Sequence, residues 1–277
     1  MAPLQPPPPT PLAPALDPDE FREFELLRTV PYNHNTAKYV FRLPEGHATL
    51  LPVAACVLLK PAEEDEARAP KDNKGKPVVR PYTPISPSEK EGEVDFLIKK
   101  YDTGLFTPYL STLQPGQKIA IKGPLPKHAW SANAFASVGL IAGGSGITPM
   151  YQLLTHSLSL PEDRTRFTLL FANVTARDIL LKDELDRLQK EHPDRLKLVY
   201  ILDKPDPAFT GPTGYVTKEL LKEHLAGPEL GEKVKVFVCG PPGQVSALAG
   251  KKQGMKQGAL GGALKELGYS EDQVFKF

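Results

Sequence analysis

Residues 138–150, VGLIAGGSGITPM, constrain this chain more than any other stretch. Val138, Leu140, Ile141 and Ala142 make a short apolar run, which predicts a buried parallel strand. Gly143, Gly144 and Gly146 then allow a sharp turn with no Cβ in the way. Thr148 and Pro149 suit the first turn of a helix continuing through Tyr151, Leu153 and Leu154. A glycine-rich turn opening onto a helix offers unpaired N–H groups and the positive end of a helix dipole, the ingredients of a phosphate site. The motif alone is equally an ordinary βα turn. Its spacing also departs from the G-x-G-x-x-G dinucleotide fingerprint, because Pro149 stands where the third glycine belongs. The next strand ends at Asn173, where a simple dinucleotide-binding dehydrogenase carries an acid for the ribose.

At 277 residues the chain is long enough for two domains. A net charge of +1, from 34 basic and 33 acidic residues, gives no global field towards nucleic acid or an anionic membrane. Cys56 and Cys239 form neither a disulfide framework nor a metal spacing, which fits a reducing compartment. No apolar run reaches the ~18 residues needed to span a bilayer, so the chain as given is expected to be soluble, with any anchor lying outside it. No metal site is expected.

Residues 1–18, with Pro6 to Pro9 in a row, predict an extended segment unable to build a core, and 1–20 is taken as a proline-rich tail. Strands are predicted at 24–30, 36–43, 53–60, 94–101 and 117–122, with an exposed polar loop at 63–76. Such a succession of short strands implies an antiparallel barrel or sandwich over 21–128. A linker at 129–136 holds Trp130. From 137 to 277 strands (138–142, 166–172, 196–202, 234–239) alternate with helices (147–158, 178–190, 216–225, 242–249), implying a Rossmann-like parallel sheet with helices on both faces. Residues 250–262, rich in Gly and Lys, predict a mobile insert, and 273–277 a short closing strand.

A second unusual stretch is Arg80-Pro81-Tyr82-Thr83-Pro84-Ile85-Ser86. Read as a strand, it projects Arg80, Tyr82 and Pro84 to one side, and Thr83 and Ile85 to the other. An arginine fork suits a pyrophosphate and a tyrosine face suits a ring, although a surface arginine beside a core tyrosine explains the same residues. RPYTPIS, Gly104-Leu105-Phe106-Thr107, GGSGITPM, the segment FANVTARDILL (171–181) and Cys239-Gly240-Pro241-Pro242 occur in this order. Together they resemble the ferredoxin-reductase-like flavoproteins, and among them the NADH–cytochrome b5 reductase branch. The stretch 122–127 followed by Trp130 is similar to the fungal mitochondrial form.

The resemblance implies an FAD-binding barrel followed by an NADH-binding α/β domain. It implies that Arg80 holds the FAD pyrophosphate with Pro81 beside it, that Tyr82 lies against the flavin, and that Thr83 hydrogen-bonds near flavin N5. Leu97, Lys99 and Tyr101 match further FAD-side positions, Lys99 also matching a residue linked to NADH, while Gly104, Phe106 and Thr107 match a second phosphate-binding turn. Gly143, Gly144, Gly146 and Thr148 would pass the NADH phosphates, with Thr148 also reaching the flavin. Cys239, Gly240 and Pro241 would touch the nicotinamide, and Asp203 would select NADH by repelling a 2′-phosphate. Thr83, Thr107 and Cys239 are thus the candidate catalytic residues.

Two departures from the family pattern stand out. Cys56 occupies the position of a barrel histidine of animal members that feeds a proton relay, and a thiol relays protons poorly at neutral pH, leaving Thr83, Thr107 and water. Leu105 replaces a lysine used in cytochrome docking; Lys99, Lys100, Lys118, Lys122 and Lys127 are candidates for a substitute patch, although a solvated barrel rim is the default reading of them. The implied function is hydride transfer from NADH to FAD, then single electrons to cytochrome b5 or a similar haem protein, by a monomer at a mitochondrial or cytoplasm-facing membrane. The alternatives are a related reductase with a quinone acceptor, a reductase module of a nitrate reductase-like chain, or a nucleotide-binding sensor without activity.

Overall fold

The computed structural model describes residues 11–65 and 67–277; the run Pro6 to Pro9 lies outside them. The chain divides into two compact units, the first ending at Pro126 and the second running from Lys127 to Phe277.

In the first unit, β1 (Ala13–Pro14), β2 (Arg22–Pro31), β3 (Thr36–Arg42), β4 (His47–Ala48), β5 (Ala55–Pro61), β6 (Arg80–Tyr82) and β7 (Glu93–Lys99) precede a short helix, α1 (Phe106–Leu110), and β8 (Lys118–Pro126). The order β6-β5-β8-β2-β3-β7 is antiparallel throughout. The chain leaving β6 returns to β7, where Ile85 N donates to Asp95 O at 2.9 Å and Asp95 N to Ser86 Oγ at 3.0 Å. These bonds join the two ends of the sheet in the manner of the expected barrel. Alternation along the strands turns Phe24, Leu26, Phe41, Val57, Leu59, Phe96, Ile119 and Ile121 into one apolar core.

Ala15 and Leu16, read from the sequence as part of an extended tail, are instead buried in this core, and β1 pairs in parallel with β4. Proline-rich composition hid two apolar residues that directly follow β1.

The second unit contains β9 (Ser137–Gly143), α2 (Ile147–Ser159), β10 (Arg166–Asn173), α3 (Lys182–Glu191), β11 (Leu196–Leu202), α4 (Lys218–His224), β12 (Val234–Cys239), α5 (Pro242–Ala249), α6 (Gly262–Glu266) and β13 (Val274–Lys276). All five strands are parallel in the order β11-β10-β9-β12-β13. The central strands β9 and β12 are buried along almost their whole length, as continuous apolar runs require. Leu221, Leu248 and Leu264, from α4, α5 and α6, join Ile141, Val236 and Val238 in one cluster. Helices α2 and α3 pack against each other and against β9 and β11.

Two sequence expectations need correction here. Residues 129–136 are no free linker. The Trp130 ring lies 5.9 Å from Phe135 and 6.0 Å from Phe167, and the neighbouring His128 stands edge-on to Phe237 at 5.1 Å and Phe275 at 5.3 Å. Burial among these rings pushes the His128 pKa below its ordinary value. The 250–262 insert is tethered rather than loose. Buried Lys276 donates through Nζ to Ala249 O (3.2 Å), Gly258 O (3.4 Å) and Ala259 O (3.1 Å), and Gln257 exchanges two hydrogen bonds with the Lys276 backbone.

Candidate functional site

Each unit gathers part of the residues singled out above. In the first, β6 ends at Tyr82, sooner than the RPYTPIS alternation predicts, so Thr83 and Pro84 are both buried. Arg80 is exposed and uses Nη1 on Val79 O at 2.9 Å, with no carboxylate partner among the described residues. Most of its fork remains available for an anion. The Tyr82 ring is half-buried and lies 5.9 Å from the ring of buried Phe106. Burial holds the Tyr82 phenol neutral, raising its pKa far above the usual range. The Thr83 hydroxyl, in a residue 9% exposed, has no hydrogen-bond partner among the described residues.

Beside these residues lies the turn before α1. Gly104 N donates to Tyr101 O at 2.8 Å, and Tyr101 N donates to Thr107 Oγ1 at 2.9 Å. A Cβ at Gly104 would lie 3.1 Å from Tyr101 O, so glycine lets the turn close tightly. At five residues α1 carries little macrodipole, and the turn's own N–H groups are its anion-binding asset. Leu97 and Lys99 lie on the adjoining β7, Leu97 buried and Lys99 half-buried. Sequence reasoning missed the support under this turn. Tyr109 donates to Asp65 Oδ2 at 2.7 Å, and Arg68 grips both oxygens of Asp65. The Arg68 guanidinium, followed by the Tyr109 hydroxyl, pulls the Asp65 pKa down despite its partial burial.

The proposed lysine patch is not one surface. Lys118 lies within 3.7 Å of Glu23 and 3.8 Å of Glu64, Lys122 sits over the Phe21 ring, and β2 and β3 separate β8 from the strand bearing Lys99. Cys56 is buried on β5.

In the second unit the glycine stretch forms as expected: β9 ends at Gly143, Gly144–Gly146 make a 3-10 turn, and α2 starts at Ile147. Pairing of β9 with β12 brings Cys239 opposite Ala142, so the Gly143 and Cys239 turns lie side by side. A Cβ on Gly146 would lie 2.5 Å from the Cys239 carbonyl carbon and 2.9 Å from Gly240 N; one on Gly143 would lie 2.8 Å from Pro241 Cδ. Thr148 directs its hydroxyl to Ser145 O at 3.3 Å. Gly144 adopts φ +50° with open space where a Cβ would point. Asp203 follows β11, is exposed, and donates its N–H to Asn173 O at 3.0 Å, placing it at the same carboxyl edge of the sheet.

Two polar side chains stand out at this edge: Asn173, which the sequence marked only as a strand end without an acid, and Gln244, which escaped the sequence reading. Neither amide atom of Asn173 has a partner among the described residues, nor does Gln244 Nε2, although all three atoms are buried. Gln244 lies against Gly143. Buried amides without partners cost roughly 1–3 kcal/mol each. A polar ligand at the carboxyl edge would satisfy them, where open α/β sheets bind nucleotides. The donor set thus suits a dinucleotide, and the exposed arginine, flat tyrosine and unpartnered threonine of the first unit suit a flavin nucleotide.

Comparison with known proteins agrees with this division. The oxidoreductase FAD-binding domain family matches residues 23–130, and the oxidoreductase NAD-binding domain family matches 140–249. The chain is 49% identical to NADH-cytochrome b5 reductase 2 of Mycosarcoma maydis, over 95% of this chain and 74% of that one. It is 48% identical to the protein of the same name from Phaeosphaeria nodorum, over 88% and 71%. Its fold matches the cytochrome b5 reductase domain of Ulva prolifera nitrate reductase with a TM-score of 0.80 and 27% identity, covering 96% of this chain and all of that one. The chain therefore belongs to the NADH–cytochrome b5 reductases, a family of flavin-dependent oxidoreductases built from an FAD-binding and an NAD-binding domain.

Proposed function

We propose that this chain takes a hydride from NADH onto FAD and passes electrons singly to cytochrome b5 or a similar haem protein. The observation that carries the reading is the close apposition of the Gly143–Gly146 turn and Cys239–Gly240, beside buried amides that lack partners. The bound flavin supplies the redox chemistry, exchanging two electrons with a nicotinamide and one with a haem. The protein's part is binding, orientation and polarity.

In the first unit, Arg80 and the N–H groups around Gly104 neutralise a pyrophosphate, Pro81 and Leu97 shape its surroundings, and Lys99 and Tyr101 border it. Tyr82, kept neutral by burial and backed by Phe106, presents a flat face, and the Thr83 hydroxyl is available for a ring nitrogen. Thr107 spends its hydroxyl on the Tyr101 backbone and so fixes the turn. In the second unit, Gly143, Gly144 and Gly146 let a dinucleotide approach the backbone. Thr148 lines its path, Cys239, Gly240 and Pro241 border the nicotinamide, and Asp203 accepts ribose hydroxyls. The relatives' names support cytochrome b5 as acceptor, and the likeness of 122–127 and Trp130 to the fungal mitochondrial form is the ground for a mitochondrial location. A monomer suffices for this chemistry. Residues 21–128 and 137–277 are the FAD and NADH domains of this reading.

Anaerobic titration of the purified flavoprotein with NADH and with NADPH tests it. Flavin bleaching at far lower NADH than NADPH concentration is expected, followed by haem reduction when cytochrome b5 is added. A bound flavin that neither nucleotide bleaches would overturn the donor assignment.

A further inference from the structure

The opposite edge of the second unit's sheet holds a second feature. Where β10, β9 and β12 begin, a surface pocket of about 400 Å³ is lined by Asn133, Phe135, Ala136, Arg164, Arg166 and Lys233. The sheet order sets its plan. The segment entering β9 forms the floor, the segment entering β10 supplies the two arginines on one side, and the residue before β12 supplies the lysine on the other. With strands about 4.8 Å apart, arginines and lysine face each other across roughly 10 Å of backbone.

The walls are fixed by hydrogen bonds. Asn133, in a left-handed conformation at φ +62°, donates through Nδ2 to Glu162 O (2.9 Å) and accepts from Arg164 N (2.7 Å). Arg166 N donates to Ala136 O at 3.1 Å, and Ala136 N to Lys233 O at 2.8 Å. Thr165 turns inward, bonding Phe135 O at 3.0 Å, so extended backbone turns Arg164 and Arg166 outward together. Phe135 is braced by His128 and Trp130.

Among the described residues Arg164, Arg166 and Lys233 have no ion-pair partner. Asp163, the acid between Glu162 and Arg164, is buried and accepts from Asn133 N and Thr165 N instead. Three cations of fixed backbone placement, two with planar forks, match the geometry of a phosphate, and Phe135 with Ala136 offers an apolar floor. Hydride transfer at the other sheet edge uses none of these groups. We propose that this pocket is an anion site for a phosphate-bearing ligand, its phosphate held between Arg164, Arg166 and Lys233 and its organic part resting on Phe135.

The test uses the flavin-loaded enzyme with NAD⁺ in excess, so that the nucleotide edge is filled. Pyrophosphate binding is measured by calorimetry, and sedimentation is followed with phosphatidylcholine vesicles with or without a phosphoinositide. Wild type and an Arg164→Ala/Arg166→Ala/Lys233→Ala variant are compared. Saturable pyrophosphate binding, weakened about tenfold or more in the variant with unchanged flavin reduction by NADH, assigns the site to a soluble phosphate. Phosphoinositide-dependent sedimentation, lost in the variant, assigns it to a lipid headgroup. If wild type binds neither probe, or the variant binds as well as wild type, the proposal is wrong. Flavin reduction is read separately, so failure here is distinguishable from failure of the proposed reductase function.

Discussion

Gly146→Ala examines whether the contact between the two turns governs nucleotide binding. Gly146 has φ −64° and ψ −3°, a conformation alanine adopts freely, so any cost arises from the neighbours alone. The new Cβ would lie 2.5 Å from the Cys239 carbonyl carbon, where ordinary contact begins at 3.4 Å, a shortfall of 0.9 Å against backbone that no rotamer change can relieve. Holding the turns in place costs about 1–3 kcal/mol of overpacking, and letting them part by that distance misplaces the nicotinamide side of the site by nearly 1 Å. Displacement of this size costs up to about 10²-fold in rate. We expect kcat/KM for NADH, with ferricyanide as acceptor, to fall about 10- to 100-fold while flavin content is unchanged. A Gly146→Ala enzyme within twofold of wild type would refute the reasoning.

Asp203→Ala removes an exposed carboxylate worth about 1 kcal/mol per facing charge in water, so the NADPH-to-NADH ratio of kcat/KM is expected to rise about tenfold; an unchanged ratio denies Asp203 its role in selection. Leu16→Ala, in a residue 5% exposed, is expected to cost about 3 kcal/mol by denaturant unfolding, whereas a residue of a loose tail would cost nothing. Lys276→Met strips three carbonyls of their donor, and should lower the Tm and open 250–258 to limited proteolysis. Glu93 is held at a pKa of about 2, first by its hydrogen bonds to Arg28 and then by Lys90. Because the folded pKa lies below the ordinary 4.5, this stability is complete above pH 4.5 and lost as pH falls towards 2. The Tm gap between wild type and Glu93→Gln should close over that window, and a constant gap would contradict the assignment.

The sequence was most legible where chemistry is local. Only glycine tolerates the close approach at 143 and 146, and continuous apolar runs could only be the buried strands β9, β10 and β12. Legibility failed where composition pointed away from packing. Leu16 sits in a proline-rich context, and Trp130 read as part of a linker until Phe167 and Phe237, the latter more than 100 residues further on, were found against it. Gln244 gave no signal, and Asn173 only the absence of an acid, because a buried amide is recognised only by its missing partners. The basic pocket is equally invisible in one dimension, since its residues come from three strand entries about 30 and 70 residues apart.

The parallel order of the second sheet bears on how the chain is made. The first unit is complete once Pro126 has been synthesised, although its own β2 must wait for β8. The second unit begins with its central strand, β9, whose neighbour β12 starts 97 residues later, at Val234. At about 5–20 residues per second, β9 spends roughly 5–20 s with one edge open to stray pairing. The barrel can therefore be folded on the ribosome while the α/β unit is still an unclosed half-sheet, so damage during synthesis should fall on the nucleotide end of the molecule first.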